Sequence, residues 1–488
     1  MANWRALPNA ISLLPKLGFG QQATRLDALP GRYDPWLLGA ALALASLGVV
    51  MVASSSIAIG EGLDVGPYYF LIKHLFFIAL GTAIAVWLMR TELKTVEKFD
   101  RLLLVMCFVL LLLVFVPGIG RTVNGARRWL NFGIMGFQAV EAVKVMYIVW
   151  LASYLVRFRD EVNATWAAML KPLGVAVAMV ALLIAQPDFG SLSLILAITA
   201  GMLVLGGVHL PRMFGPVLVG LPLLAFIAIA EPYRWRRFTS FWDPWADPFG
   251  SGYQLTNALM AVGRGEWFGV GLGGSVQKLS YLPEAHTDFI LAVIAEELGF
   301  VGVCSVIGLY ALLVGRAFWV GLKCVEMRRH FAGYCAFGVA LWMALQSFVS
   351  IGVNLGLLPT KGLTLPLISS GGSSVLGTCA ALGLLLRVSY ELDRAERQVA
   401  RFRGDAAQAP VGTPAASSSG ATQAAPTPPK GAASNPPQPG QTPAAKVAIA
   451  SVSHVPPTAA AGTPAHRQTQ RGTSRLRERI EPSFGRGA

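Results

Sequence analysis

Charge is scarce in this chain: Asp, Glu, Lys and Arg make up 14% of its 488 residues, where a soluble globular domain carries about 25%. That shortage, against 54% hydrophobic residues, excludes an ordinary water-exposed fold and points to lipid as the solvent. Cysteine is nearly as sparse. The five, Cys107, Cys304, Cys324, Cys335 and Cys379, sit in or beside apolar runs at no metal-ligand spacing, which argues against a disulfide framework or a thiolate metal site. They read as free thiols used as small hydrophobes. Strand-like alternation is not evident and no short internal repeat is present. A spanning chain without a closed barrel must be helical to satisfy its backbone.

What is present is a train of apolar runs between Trp36 and Arg387. Several exceed the roughly 17 residues needed to cross a bilayer. The expected fold is an all-α polytopic membrane protein with about ten transmembrane helices, at 36–59, 69–89, 102–117, 139–156, 173–185, 189–207, 213–230, 288–314, 333–358 and 373–388. The fifth is short, and Gln186-Pro187-Asp188 reads as a tight hairpin or kink before the sixth. The first run is too long for a signal-peptide core and opens a polytopic train, so it reads as uncleaved.

Lys and Arg set the expected orientation. With the amino terminus inside, the inner segments hold Arg5, Lys16, Arg25 and Arg32, then Arg90 to Arg101, Arg157 to Lys171, Arg212, Arg316 to Arg329, and Arg387 onward. The short outer loops are poor in both residues, apart from those near Arg127 and Lys361. Both termini are therefore expected in the cytoplasm. The net charge of +14 is mostly this topology signal, not a nucleic-acid-binding surface.

Three regions are expected: a cytoplasmic arm at 1–34, a membrane domain at 35–391, and a mostly disordered cytoplasmic tail at 392–488. After about Gly404 the composition falls to Ala, Pro, Thr, Ser, Gln and Gly, which cannot bury a core. The basic stretch 474–480 near the end reads as a solvated charge run, with binding to a partner or anionic lipid as the other reading.

The outer loops 119–138, 231–287 and 359–372 carry the polar chemistry. The large one, between the seventh and eighth spans, is longer than a connector needs, and its Trp and Phe residues suit an ordered membrane-interface segment. Arg127 and Arg128 stand outside, against the topological trend, where they would bind an anion such as a phosphate diester or a lipid headgroup. Arg234, Arg236 and Arg237 admit the same two readings. Glu141 and Lys144 share one helix face inside a span, as a structural ion pair or as functional charges. Asp188 suits a helix amino-terminal cap.

Asp288, in His286-Thr287-Asp288-Phe289, lies where the long loop meets the next span. Partial desolvation there would raise its pKa and make it a better base. The alternative is a capping Asp, a job Thr287 could take instead. His286 reads as a substrate contact or an interface histidine, and Glu296 and Glu297 require a polar partner inside the bundle. Lys361 and the run Ser369-Ser370-Gly371-Gly372-Ser373-Ser374 form a loop whose glycines admit close backbone approach and whose donors suit an anion.

Over about residues 35–391 these segments together resemble the SEDS family of membrane glycosyltransferases, in its cell-division branch. The matching wording is Asn354 to Pro359, Gly362, Pro366 to Ser374, Gly252-Tyr253-Gln254, Gly269 to Gly273, and Gln277-Lys278-Leu279 to Glu296-Glu297-Leu298-Gly299. The resemblance implies a processive peptidoglycan glycosyltransferase that polymerises lipid II outside the cytoplasmic membrane. It implies Asp288 as the essential residue, and carries Arg127, Arg128, Glu141, Lys144 and Asp188 over as substrate-site residues. Two departures stand out. Gln138-Ala139-Val140-Glu141 replaces the family's Gln-Pro-Ser-Glu, and Ser370 replaces the Tyr of Ser-Tyr-Gly-Gly.

The implied reaction inverts an α-linked lipid pyrophosphate donor to a β-linked glycan. Asp288 is the expected base, and Arg127, Arg128, Lys144 and Lys361 are the candidates for charge stabilisation at the leaving group. His286, Ser369, Gly371, Gly372 and Ser373 complete the expected substrate contacts. The cofactor is unassigned, with a divalent cation (Mg or Mn) as the candidate. Expected partners are lipid II, a class B penicillin-binding transpeptidase and other membrane proteins of the division complex. The expected location is the inner membrane at the septum. A lipid II flippase and a non-catalytic division scaffold are the alternatives.

Overall fold

The computed structural model describes residues 30–408 apart from 124, 132–135, 231–234, 236–238 and 280. The cations Arg5, Lys16 and Arg25, the cluster Arg234, Arg236 and Arg237, and the segment 474–480 lie outside the described residues.

Asp34 starts the first helix, α1 (Pro35–Gly62), by accepting from the backbone N–H groups of Trp36 and Leu37 at 3.0 and 3.1 Å. Pro35 follows in the first helical position, where its missing N–H costs nothing. Then come α2 (Tyr69–Arg90), the short α3 (Leu93–Lys98) and α4 (Asp100–Leu113). Next is a three-stranded antiparallel sheet in the order β1 (Gly120–Val123), β2 (Ala126–Asn131) and β3 (Gly136–Gln138). The chain continues through α5 (Ala139–Arg157), α6 (Arg159–Ala164), α7 (Trp166–Ala185), α8 (Phe189–Leu205) and α9 (Leu210–Ala230). It closes with α10 (Tyr253–Gly265), α11 (Ile290–Glu326), α12 (His330–Asn354) and α13 (Gly372–Gln408).

Each of the ten expected runs falls mainly on a helix, although 102–117 and 333–358 each run four residues past the helix end, at Leu113 and Asn354. Seven of these helices are long and apolar enough to cross a membrane: α1, α2, α5, α7, α11, α12 and α13. The runs at 102–117, 189–207 and 213–230 fall on α4, α8 and α9. Two expectations need correction. The fifth run is not a short 173–185 piece, because its helix starts back at Trp166 and spans 20 residues. Lys171 and Pro172 interrupt the apolar pattern there, but the helix continues through Pro172; the bond lost is the one to the Ala168 carbonyl, which accepts from the Tyr154 hydroxyl at 2.7 Å instead. The loop 119–138 is also not irregular: it folds as the small sheet, so the helical architecture carries one β element.

α5 is the central helix, and its flank Ala139–Leu155 is buried almost throughout. The seam between α2 and α13 is built from small residues. A Cβ on Gly81 would come within 2.9 Å of the Cys379 sulfur, and one on Gly383 within 2.7 Å of the Ala85 backbone. Such close backbone approach is how membrane helices pack without a hydrophobic drive between them. α11 is broken at Gly299, whose φ of 66° and ψ of −164° suit glycine alone.

The end of the bundle that holds both termini of the membrane domain is tied by ion pairs. Asp34 meets Arg316 at 2.7 Å, Asp100 meets Arg157 at 2.7 Å, and Glu391 meets both Arg329 and Arg387 at 3.1 Å. The opposite end carries the sheet, the approach to α11 and the loop between α12 and α13.

Candidate active site

The loop from Leu355 to Gly371 is the hub of that opposite end. Its backbone and hydroxyls, with the amide of Asn354 at the end of α12, reach three consecutive residues before α11. Ser370 N–H donates to the His286 carbonyl at 2.9 Å, Ser369 Oγ donates to the Thr287 carbonyl at 2.6 Å, and Asn354 Nδ2 donates to the Asp288 carbonyl at 2.9 Å. Ser369 in turn accepts from Leu365 N–H at 2.8 Å, which leaves its hydroxyl fully engaged inside the fold. The three carbonyls are thereby pinned from one side, and the half-buried Asp288 side chain extends from a fixed backbone.

Asp288 does not occupy the capping position of α11. That position is Phe289, which offers no side-chain cap. Thr287 does not take the job either: its hydroxyl turns back to Glu284, donating to Oε2 at 2.6 Å. The Asp288 Oδ2 atom faces Gly362 instead, 3.2 Å from where a Cβ would stand.

Lys361, beside it, stands over the Phe189 ring at 5.0 Å. Burial pushes its ammonium below the usual lysine range, because a desolvated charge is disfavoured. His286 packs against the Phe70 ring with centroids 4.8 Å apart, and its buried Nδ1 has no hydrogen-bond partner among the described residues. Burial lowers its pKa most, Glu284 opposes that, and Lys73 adds to the lowering.

Asp188 lies close to this loop through Phe189 and caps α8, accepting from Ser191 N–H at 3.2 Å and Ser191 Oγ at 2.8 Å. Gln138, the last residue of β3, donates from its side chain to Asp188 at 3.5 Å and from its backbone to Ser373 Oγ at 2.9 Å. The sheet is thus stitched to the first turns of α8 and α13. Arg128, on β2, donates to the carbonyls of Gln186 and Pro187 at 3.4 and 2.5 Å, so it closes the carboxyl end of α7. Arg127, its neighbour, is exposed and donates to the Phe115 carbonyl at 3.3 Å.

Beneath the loop, Lys144 Nζ donates to Glu141 Oε1 and to Gln346 Oε1, both at 2.8 Å. It stands 4.6 Å from the Trp342 ring, and its side chain is 0% exposed. Gln346 Nε2 continues to the Thr364 carbonyl at 2.9 Å, and Thr364 bonds Ser374 at 2.8 Å. Gly372 has no space for a side chain, since a Cβ would lie 2.5 Å from Phe77, and at Gly371 it would meet Thr364 at 3.3 Å.

Glu296 and Glu297 are both buried and both partnered. Glu296 accepts from Arg264 at 2.8 Å and Ser275 at 2.5 Å, while Glu297 accepts from Lys278 and Ser54 at 2.7 Å each.

The expected site residues therefore divide by position. Asp288, His286, Ser369 and Lys361 surround one loop, Arg128, Asp188 and Ser373 join the sheet to that loop, and Glu141 and Lys144 lie under it. Sequence reasoning passed over Asn354, Gln346 and Thr364 as site residues, although the first stands in the quoted motif. It also passed over the sheet, for which Asn124-Gly125 was an available hairpin signal: Val123 pairs with Ala126, and Gly125 has φ 77°. Among the described residues no group of three His, Cys, Asp or Glu gathers to hold a metal ion.

Comparison with known proteins gives one consistent answer. The cell cycle protein family model, which covers FtsW, RodA and SpoVE, matches residues 35–394. A probable peptidoglycan glycosyltransferase FtsW from Xanthomonas oryzae pv. oryzae is 68% identical over 395 residues, 81% of this chain and 80% of that one. One of the same name from Halorhodospira halophila is 48% identical over 381 residues, covering 78% and 96%. Among solved structures, a chain of a peptidoglycan synthase complex described as coordinating polymerization and crosslinking superposes with TM-score 0.61 at 31% identity, covering 74% of this chain and 98% of that one. The rod shape determining protein RodA of Thermus thermophilus gives TM-score 0.53 at 27% identity, covering 73% and 96%.

Proposed function

This chain belongs to the FtsW/RodA/SpoVE family of cell cycle proteins, and on that premise we propose that it is a peptidoglycan glycosyltransferase that polymerises lipid II for the division septum. It is a multi-pass membrane protein, and its working end faces outward with both termini in the cytoplasm. The observation that carries the reading is the placement of Asp288: a half-buried carboxylate on a backbone held at three successive carbonyls, facing the loop that carries Lys361.

The chemistry asks for little more. Inversion at the donor's anomeric carbon takes one displacement, so one base for the acceptor's sugar hydroxyl is enough. Asp288 takes that proton as the new glycosidic bond forms and the bond to the pyrophosphate breaks. The leaving pyrophosphate is already a good anion and needs cations rather than an acid. Lys361 adjoins Gly362, which faces the carboxylate, and is kept partly dry, which strengthens its pull on a phosphate. Arg127, exposed on β2, draws the anionic donor in. Arg128, Asp188, Ser373, Glu141 and Lys144 serve the same site by holding its walls, since their polar atoms bond mainly within the fold. The described residues do not assemble a metal site from protein side chains alone, and no step is derived through a cation. A class B transpeptidase is the partner that would crosslink the product.

The test is glycan-chain formation from purified lipid II by the wild type and Asp288→Asn, each with and without the transpeptidase. Polymer from the wild type alone supports the reading, with a loss of at least about 100-fold for removal of a general base. Polymer from both removes Asp288 as the base. Polymer from neither, with the transpeptidase active in its own assay, favours lipid transport or scaffolding.

A further inference from the structure

Asn354 lies at the last turn of α12 and is fully buried. Its amide is satisfied on both sides. Oδ1 accepts from Ala292 N–H at 3.1 Å, and Nδ2 donates to the carbonyls of Asp288 at 2.9 Å and Ser350 at 2.8 Å. With two carbonyls on one side and an N–H on the other, the amide fits only one way round.

The Ala292 N–H is the third of the new helix, one of the four that a helix leaves unpaired at its start. Such a group is ordinarily met by the side chain of the capping residue. Here that residue is Phe289, whose side chain has no acceptor and whose backbone carbonyl takes the same N–H at 3.1 Å in a tight first turn. Asn354 supplies the side-chain acceptor from a different helix and shares the N–H with that carbonyl. The same amide holds the carbonyl of Asp288, four residues earlier in the chain. One side chain therefore fixes both the start of α11 and the residue just before it.

Its position in the chain adds to this. Asn354 is the last residue of α12, and the loop it opens returns within eight residues to set Gly362 against the Asp288 carboxylate. Its two anchors on the Asp288 side and its own backbone thus define the distance between the carboxylate and the loop that faces it.

We infer that Asn354 is a positioning residue for the base, acting through the Asp288 backbone and not on substrate. The inference rests on the reading of Asp288 as the base. Ordering of a catalytic group matters steeply, since a misplacement of about 1 Å can cost on the order of 100-fold in rate.

The experiment compares Asn354→Ala, Asn354→Asp and Asp288→Asn in polymerisation of lipid II, with kcat and KM measured separately and unfolding followed in detergent. Asn354→Ala is expected to lower kcat by about 10- to 100-fold while KM for lipid II stays within about twofold, because no substrate contact is removed. Asn354→Asp separates the two jobs. It keeps an acceptor for Ala292 N–H and, when ionised, loses the donor to Asp288. It is expected to hold its unfolding temperature better than Asn354→Ala and still to lose kcat.

Wild-type kcat in folded Asn354→Asp would overturn the inference and leave Asn354 as a helix cap only. A loss confined to the amount of folded protein in Asn354→Ala, with normal kcat per folded molecule, would overturn it as well. If Asp288→Asn polymerises normally, the reading of the base fails and the inference falls with it. If Asp288→Asn is dead and both Asn354 variants are normal, the inference alone fails.

Discussion

The Oδ2 atom of Asp288 stands 3.2 Å from the position a Cβ would take on Gly362. Carboxylate and glycine come from segments far apart in the chain, and the fold brings them face to face. Gly362 is exposed, so alanine there meets open water on its other side and does not disturb a core. What it does meet is the carboxylate, which would have to give by a few tenths of an ångström. Gly362→Ala is therefore expected to lower the polymerisation rate about tenfold with unfolding unchanged. An initial-rate assay paired with a thermal melt checks this, and a variant with wild-type turnover would show that the carboxylate has slack.

Lys361 invites a pH experiment. Burial holds its ammonium below the usual lysine range, so it loses its charge at a lower pH than an exposed lysine would. If that charge steadies the leaving pyrophosphate, activity falls on the alkaline side as the proton is lost, earlier than an ordinary lysine would dictate. Arginine stays charged throughout. Lys361→Arg is expected to move the alkaline limb of kcat/KM upward, whatever it does to the maximum rate. An alkaline limb that stays in place in the variant would assign it to another group.

How far the sequence disclosed this arrangement depended on what kind of force shaped each part. The spans were legible because lipid forces every backbone group into a helix, and apolar runs follow directly. The start of the fifth span at Trp166 was hidden by Lys171 and Pro172, which break hydropathy without breaking the helix. The sheet was hidden for the opposite reason: strands of four, six and three residues are too short to show alternation. Asp288 was legible as a carboxylate at a loop boundary. Its anchoring was not, because Asn354 and Ser369 reach it over long sequence separations and bond backbone carbonyls, its own and that of Thr287, which no side-chain pattern announces.

The adjacent arginines were indistinguishable in the sequence and are different in the fold. Arg128 gives its guanidinium to the carbonyls of Gln186 and Pro187, so Arg128→Ala leaves the end of α7 short of donors. Hydrogen bonds from a charged group are worth about 1.5–3 kcal/mol, and the variant is expected to lose stability on that scale. Arg127 is exposed with a single carbonyl contact. Arg127→Ala is expected to leave unfolding unchanged and to weaken kcat/KM for lipid II, more so at low salt where surface charge acts further. Denaturation curves and kinetics at two salt concentrations distinguish the pair, and equal behaviour of the two variants would contradict the division.

Lys144 poses the sharpest energetic question. Its side chain is 0% exposed and its charge meets Glu141, Gln346 and the Trp342 ring, all internal. Removing the cation alone, as in Lys144→Met, strands a carboxylate in the bundle, which costs about 3–5 kcal/mol. Removing both charges with side chains of similar volume strands nothing, and such replacements are often neutral. Lys144→Met is thus expected to be strongly destabilised, and Glu141→Gln with Lys144→Met to recover most of the loss, as read from unfolding in detergent. The same network runs through Gln346 to the Thr364 carbonyl, in the loop that holds Lys361 and Gly362. Loosening it should therefore reach the base from below. A single variant as stable as the wild type would mean that water already reaches Glu141, and that the polar column under the loop is open to the site above it.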